Sequence, residues 1–71
     1  MRDLTQTETV KLEELIDATS VSAVLDAIAL ICDEKSRHIE VSYNDPRLAK
    51  TWASVAGWLS LASRKIGRAL P

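Results

Sequence analysis

The stretch NDPRLAKTWASVAGWLSLASRKIGRA (residues 44–69) decides the fold of this 71-residue chain. Asn44-Asp45-Pro46 ends any preceding helix, because the residue before a proline is pushed out of the helical region. Pro46 suits the first position of a new helix, which Asp45 can cap. The apolar residues that follow recur at alternating intervals of four and three, the spacing of a coiled-coil seam; they are Leu48, Trp52, Val55, Leu59, Ala62, Ile66 and Ala69. The pattern predicts a helix over about residues 46–69.

Two further helices are predicted before Pro46. Thr5 and Glu8 have the spacing of a capping box, which places a first helix at about residues 6–18. Ser20 or Thr19 can cap a second helix, which should run from about residue 21 to residue 43. Its apolar residues recur every three or four positions; they are Val21, Val24, Leu25, Ile28, Ile31, Cys32, Ile39 and Tyr43.

The expected architecture is all-α and forms a single domain over residues 1–71. The turn at Pro46 folds the third helix back on the second as a long antiparallel helical hairpin, and the short N-terminal helix covers part of the remaining groove. In this hairpin the numbers of facing residues sum to about 90, because the two helices have matched lengths. Lys35 should therefore face Val55, and His38 should face Trp52.

The small size of the chain favours self-association. A chain of this length buries only roughly 60% of the surface that its unfolded form exposes, so its stability is marginal without reinforcement. The single cysteine, Cys32, excludes an intramolecular disulfide and leaves oligomerisation as the expected reinforcement. We therefore expect a homodimer that forms a helical bundle.

The composition indicates a cytoplasmic protein. One cysteine and a polar N-terminus without an apolar secretory stretch are typical of a reducing compartment. The longest uncharged run, residues 51–63, has 13 residues. A membrane-spanning helix needs about 20 apolar residues, so no membrane segment is predicted.

Charge is divided at Pro46. Residues 1–45 carry ten acids and four bases, whereas residues 46–71 carry five bases and no acid. On a helix the five bases fall within an arc of about 100°, opposite the apolar seam; they are Arg47, Lys50, Arg64, Lys65 and Arg68. Two interpretations stay open: the bases bind an acidic protein or a nucleic acid, or they only balance the helix macrodipole and acids of the second helix. No DNA-reading or RNA-reading motif accompanies them, so nucleic acid is the less favoured partner.

Trp58 and Leu61 project from the same outer side of the third helix. A hairpin alone leaves both exposed, and exposed apolar patches usually mark association surfaces. We expect the two residues to contact a partner or a second copy, within a charged rim of Arg47, Lys50, Arg64 and Arg68. In an alternative arrangement the first helix folds across Trp58 and covers it. A helix lying on an anionic membrane is disfavoured, because the fold needs the apolar seam.

Residues 32–38 (CDEKSRH) hold the side chains best suited to chemistry. Glu34 and His38 share a helical face, but two or three ligands from one helix, with no second histidine or cysteine in the chain, make a poor metal site. Cys32 and His38 lie too far apart along a helix for nucleophilic catalysis. Lys35 and His38 take core positions where a cation–π contact with Trp52 can form. We predict no catalytic residue, no metal and no cofactor.

Four short motifs follow one another between residues 12 and 62: Val24-Leu25-Asp26-Ala27-Ile28, Ile31-Cys32-Asp33-Glu34-Lys35, His38-Ile39 and Leu48-Ala49-Lys50-Thr51-Trp52. In this order they resemble small uncharacterised helical proteins encoded by bacteria and their mobile elements. The motifs consist mostly of helix-packing residues. The resemblance therefore implies a helical hairpin, and it implies no activity, cofactor or catalytic residue.

Together these features predict a small cytoplasmic protein-interaction or regulatory module that is not an enzyme. The alternative is a nucleic-acid-binding protein that uses the basic face of the C-terminal helix.

Overall fold

Three α-helices make up most of the chain in the computed structural model, which describes residues 1–70. They are α1 (Gln6–Ala18), α2 (Val21–His38) and α3 (Pro46–Ala69), and a π-helical segment, Ile39–Tyr43, extends α2. The described residues contain no strand, so the predicted all-α class is confirmed.

α1 begins at the predicted capping box. The Glu8 N–H donates to Thr5 Oγ1 at 3.2 Å, and the Thr5 N–H donates to Glu8 Oε1 at 2.9 Å. The Arg2 guanidinium also donates to the Glu8 carboxylate, with its shortest contact at 2.6 Å. These hydrogen bonds lower the pKa of Glu8 to about 2, and the bond from Arg2 has the largest effect. The Glu8 carboxylate in turn raises the pKa of Arg2.

The caps of α2 and α3 also match the sequence prediction. The Ala23 N–H donates to Ser20 Oγ at 2.9 Å at the start of α2. The Leu48 N–H donates to Asp45 Oδ1 at 3.1 Å at the start of α3, where Pro46 occupies the first turn. Both bonds satisfy N–H groups that the beginning of a helix leaves without an intrahelical partner.

The second helix changes geometry before it ends. The sequence predicts a single helix to residue 43, whereas π-helical geometry begins at Ile39. Hydrogen bonds in a π-helix join residues five apart, and His38 and Tyr43 have this spacing: their rings meet edge to face, with centroids 5.5 Å apart. Asn44 then adopts a left-handed backbone (φ 49, ψ 45), which asparagine tolerates better than most residues, and the chain turns into α3.

α2 and α3 run in opposite directions and touch through small polar side chains at both ends. Near one end, the hydroxyl oxygens of Ser22 and Ser63 are 2.7 Å apart, and each lies 3.0 Å from the other residue's carbonyl oxygen. Near the other end, the Ser36 hydroxyl donates to the Ala49 carbonyl at 2.6 Å. The helix contact thus supplies the partners that buried hydroxyls need.

Small residues recur every seven positions along this contact. The repeat is Ser22, Ala29 and Ser36 in α2, and Ala49, Ala56 and Ser63 in α3. Five of these six residues are buried, and Cys32 is the only other buried residue within residues 1–70. A seven-residue spacing keeps one edge of each helix turned toward its neighbour. Small side chains at that edge let the two helix axes come close.

The helix register differs from the predicted one. The paired residue numbers sum to 85 (22 with 63, and 36 with 49), whereas the prediction from matched helix lengths gives about 90. The difference follows from the π-helical segment and the turn, which together take up the residues from Ile39 to Asp45.

The sequence predicts that the large apolar residues of α3 form the centre of its contact with α2, and this prediction is wrong. None of the seven seam residues is buried, and Leu48 is 45% exposed. The small residues occupy the contact itself, so the large side chains of α3 lie beside it.

α1 lies against α2 alone. A bend of 117° separates α1 from the segment Val21–Tyr43. In the part of the chain that the structure describes, no Cα atom of α1 comes within 8 Å of one in α3. An apolar cleft of about 300 Å³ lies between α1 and α2, and its lining includes Leu12, Leu15, Val24, Ile28 and Ile31. The expectation that the first helix covers part of the groove between the other two helices is therefore wrong, and so is the alternative in which it covers Trp58.

The chain is more extended than a compact domain of its length. The molecule measures 39 × 29 × 15 Å. The radius of gyration is 14.0 Å, against about 11 Å for a compact chain of this length.

Candidate interaction surfaces

Trp58 and Leu61 are exposed, as the sequence predicts. Their exposed fractions are 68% and 49%, and both side chains lie on the side of α3 that faces away from α2. Beside them, Gly57 adds no bulk: a Cβ atom placed there would have no other atom within 4 Å. An indole on an open surface of this kind is suited to contact with another molecule.

The five bases of α3 are exposed and make no ion pair within residues 1–70. They are Arg47, Lys50, Arg64, Lys65 and Arg68. The ion pairs that the described residues do form lie elsewhere: Arg2–Glu8 at 2.6 Å and Asp33–Arg37 at 3.0 Å. The acids of the second helix therefore do not neutralise the basic side of α3 by direct contact.

One side of the layer formed by α2 and α3, named the polar face, carries two acids, Asp26 and Asp33. A shallow groove of about 530 Å³ runs along it, lined by Asp26, Ala29, Leu30, Asp33, Ala53, Ala56, Gly57 and Ser60. The two aspartates stand on the α2 side of this groove, while the α3 side is made of small residues.

The opposite side of the layer, named the apolar face, carries the large side chains that flank the small-residue contact. By helical phase it consists of Val21, Leu25, Ile28, Cys32, Lys35 and Ile39 from α2, and Leu48, Trp52, Val55, Leu59, Ala62 and Ile66 from α3. Lys35 is its only charged residue, and the Lys35 Nζ lies 5.6 Å from the ring centroid of Trp52. Of its large apolar residues, Ile28 is 37% exposed and Leu48 is 45% exposed, whereas the others are half-buried.

The apolar face is the surface that the sequence prediction misses. The prediction assigns the large residues of α3 to the hairpin contact and so leaves no apolar surface on that side. The spacing of Ser22, Ala29 and Ser36, matched by Ala49, Ala56 and Ser63, is the signal that would have placed small residues in the contact and the large residues beside it.

The residues between Cys32 and His38 do not converge on a chemical site. Cys32 is a buried free thiol, whereas His38 is exposed and its ring packs against Tyr43. Lys35 contacts Trp52, so the expected pairing of His38 with Trp52 is wrong, and the shifted register is the reason. Within residues 1–70, no three His, Cys, Asp or Glu side chains are grouped so that they could hold a metal ion.

In the described part of the chain, no helix taken alone has both the length and the apolar composition to cross a membrane. α1 and the segment Val21–Tyr43 meet these requirements only together, as a pair bent by 117°.

No family model matches this chain, and no curated protein or solved structure matches it either. The resemblance to small helical proteins of bacteria and their mobile elements therefore stays a prediction. The function has to be inferred from the geometry of the chain.

Proposed function

We propose that the chain is a small cytoplasmic protein-interaction or regulatory module without catalytic activity, and that it works as a homodimer. Each copy contributes the long antiparallel hairpin of α2 and α3, with α1 at its side. One observation carries the proposal: within residues 1–70, the buried residues are all alanine, serine or cysteine. Folded proteins usually bury leucine, isoleucine and valine, so this chain lacks a core of its own.

The accessible surface supports a permanent partner. The chain exposes 5851 Å², whereas a compact monomer of 7.8 kDa exposes about 4,400 Å². The excess is roughly 1,450 Å², and obligate homodimers bury on the order of 1,000–2,500 Å² per copy. A second copy would cover surface of the amount that this chain leaves open.

The proposed module presents Trp58 and Leu61 to a further protein, with Arg47, Lys50, Arg64 and Arg68 as the charged rim. Tryptophan and arginine are the residues most often found at binding hot spots. Bases without intramolecular ion pairs attract a partner of opposite charge, so an acidic protein is the candidate partner. The buried thiol of Cys32 is compatible with the reducing cytoplasm.

The mass of the protein in solution tests the homodimer. Light scattering during size-exclusion chromatography should give twice the 7.8 kDa of one chain. Dilution should reduce the mass and the helical circular dichroism together, because the separate chain has no core. A fully helical species of 7.8 kDa at every concentration would refute the proposal.

Nucleic-acid binding is the second candidate function, and the five bases of α3 without ion pairs are the observation that favours it. Fluorescence anisotropy with a labelled DNA or RNA duplex tests this candidate. Binding that weakens steeply with salt and is lost in the Arg64→Glu, Arg68→Glu double variant would support it. Lack of binding at low salt would eliminate it and leave the acidic protein as the partner.

A further inference from the structure

We infer that the second copy packs on the apolar face, so that two single layers of helices meet face to face about a twofold axis and enclose a four-helix core. This inference rests on the proposed homodimer and names its interface. Helical domains bury their apolar stripes between packed layers, and in one copy α2 and α3 pack side by side with no further helix on the apolar face of α3 within residues 1–70.

Charge favours the apolar face over the polar groove as the homodimer interface. A twofold contact brings the same surface of both copies together. In the polar groove this would bury Asp26, which makes no ion pair within residues 1–70, and the Asp33–Arg37 ion pair of both copies. Burying charges costs desolvation free energy even when they are paired, and it costs more when they are not.

Charge also disfavours the surface around Trp58 as the homodimer interface, because this surface is basic. A twofold contact there would bring the exposed bases of two α3 helices together, and no acid follows residue 45 to separate them. The apolar face holds a single charge, that of Lys35, which already lies against Trp52. A twofold contact there brings together one charge from each copy, fewer than at either of the other two surfaces.

The extent of the apolar face also favours a second copy over a different protein. The face continues into the cleft between α1 and α2, because Ile28 belongs to both. A surface of this extent, without acids, gives little charge pattern by which a different partner could be selected. A second copy is present wherever the chain is made, so it is always available to cover this face.

This arrangement leaves Trp58 and Leu61 at the outer edge of each layer. The dimer therefore presents two exposed surfaces that contain Trp58 and Leu61, one on each copy. An acidic protein can bind there without displacing the second copy.

A matched pair of substitutions in α2 tests the interface. Ile28 lies on the apolar face and Leu30 on the polar face, and both side chains are exposed in the single chain, at 37% and 59%. Ile28→Glu should weaken dimerisation by about a thousandfold, because the substitution buries two carboxylates in each dimer. Leu30→Glu should leave the dimer unchanged. Sedimentation velocity over a dilution series measures both dissociation constants.

A second pair tests the same interface in α3. Leu48 is the third residue of α3, where an acidic side chain is favoured by the helix macrodipole. Leu48→Glu should therefore preserve the helix of the single chain and weaken the dimer, whereas Leu61→Glu and Trp58→Glu should not alter the dimer.

Cross-linking provides a measurement that does not depend on the folding of a charged variant. In a Cys32→Ala background, a short bis-maleimide should join two copies of Ile28→Cys and should not join two copies of Leu30→Cys.

The outcomes separate this inference from the proposed function. A monomeric wild-type protein would refute both. A wild-type dimer that is dissociated by Trp58→Glu or Leu61→Glu, but not by Ile28→Glu or Leu48→Glu, would overturn the inferred interface and leave the homodimer standing. Cross-linking through Leu30→Cys rather than Ile28→Cys would overturn the interface as well. A chain that is monomeric alone and becomes helical only with anionic lipid vesicles would assign the apolar face to a lipid surface.

Discussion

At the scale of single residues, the close contact between α2 and α3 depends on small side chains where the two helices meet. Gly67 lies opposite Ser22, and a Cβ atom at Gly67 would stand 3.3 Å from the Ser22 hydroxyl oxygen. That hydroxyl is not free to move aside, because it hydrogen bonds to Ser63. Gly57, ten residues earlier on the same helix, lies beside open space. The two glycines of α3 therefore differ in what an added methyl group would meet.

Gly57→Ala should raise the free energy of unfolding by about 0.5–1 kcal/mol, because alanine is the better helix former and meets no neighbour. Gly67→Ala should bring little or no gain, since the new methyl group crowds the Ser22–Ser63 pair. Urea unfolding of the two variants at one protein concentration measures both changes. An equal gain from both substitutions would show that α3 does not approach α2 closely at Gly67.

At the scale of elements, the helix caps could be predicted from the sequence, whereas the helix contact could not. Thr5, Ser20 and Asp45 act within a few residues of their own positions, so local spacing identifies them. The register depends on which side chains enter the contact between two helices, and an apolar spacing of four and three fits large or small residues equally. The π-helical turn after His38 carries no local signal of comparable strength. Exposure of Trp58 could be predicted because it lies opposite the apolar seam that runs from Leu48 to Ile66.

The small-residue contact predicts a sharp difference between two alanines of α3. Ala56 is buried between the helices, whereas Ala53 is exposed on the polar face. Ala56→Leu should lower the free energy of unfolding by about 1–3 kcal/mol, because the larger side chain forces the helices apart. Ala53→Leu should change it by less than about 0.5 kcal/mol. Thermal unfolding by circular dichroism distinguishes the two, and similar stabilities would contradict the close approach at Ala56.

The start of α1 predicts a defined pH dependence. The pKa of Glu8 is lowered to about 2 from an ordinary value of 4.5, mainly by the bond from Arg2. The Glu8 carboxylate therefore stabilises α1 fully above pH 4.5, and this contribution is lost as the pH falls through about 2. NMR titration of the Glu8 side chain should give a midpoint near 2. In Arg2→Ala the midpoint should rise, and an equal midpoint in both proteins would contradict the role of Arg2.

At the scale of the whole molecule, one copy buries only small residues within residues 1–70. Its helices are well capped and its buried hydroxyls are satisfied, yet Ile28 and Leu48 on the apolar face, and Leu30, Trp58 and Leu61 outside it, are exposed. The sequence predicts the need for a partner from length and composition. It does not predict the apolar face, because identifying that face requires the true register of α2 and α3.

Urea unfolding at two chain concentrations a hundredfold apart tests the central claim, that a second copy completes the core, most directly. For a folded dimer in equilibrium with unfolded chains, that change in concentration shifts the apparent free energy of unfolding by about 2.7 kcal/mol. We predict that the urea midpoint is clearly higher at the higher concentration. The same midpoint at both concentrations would show that the folded chain does not need its copy, and would contradict the account.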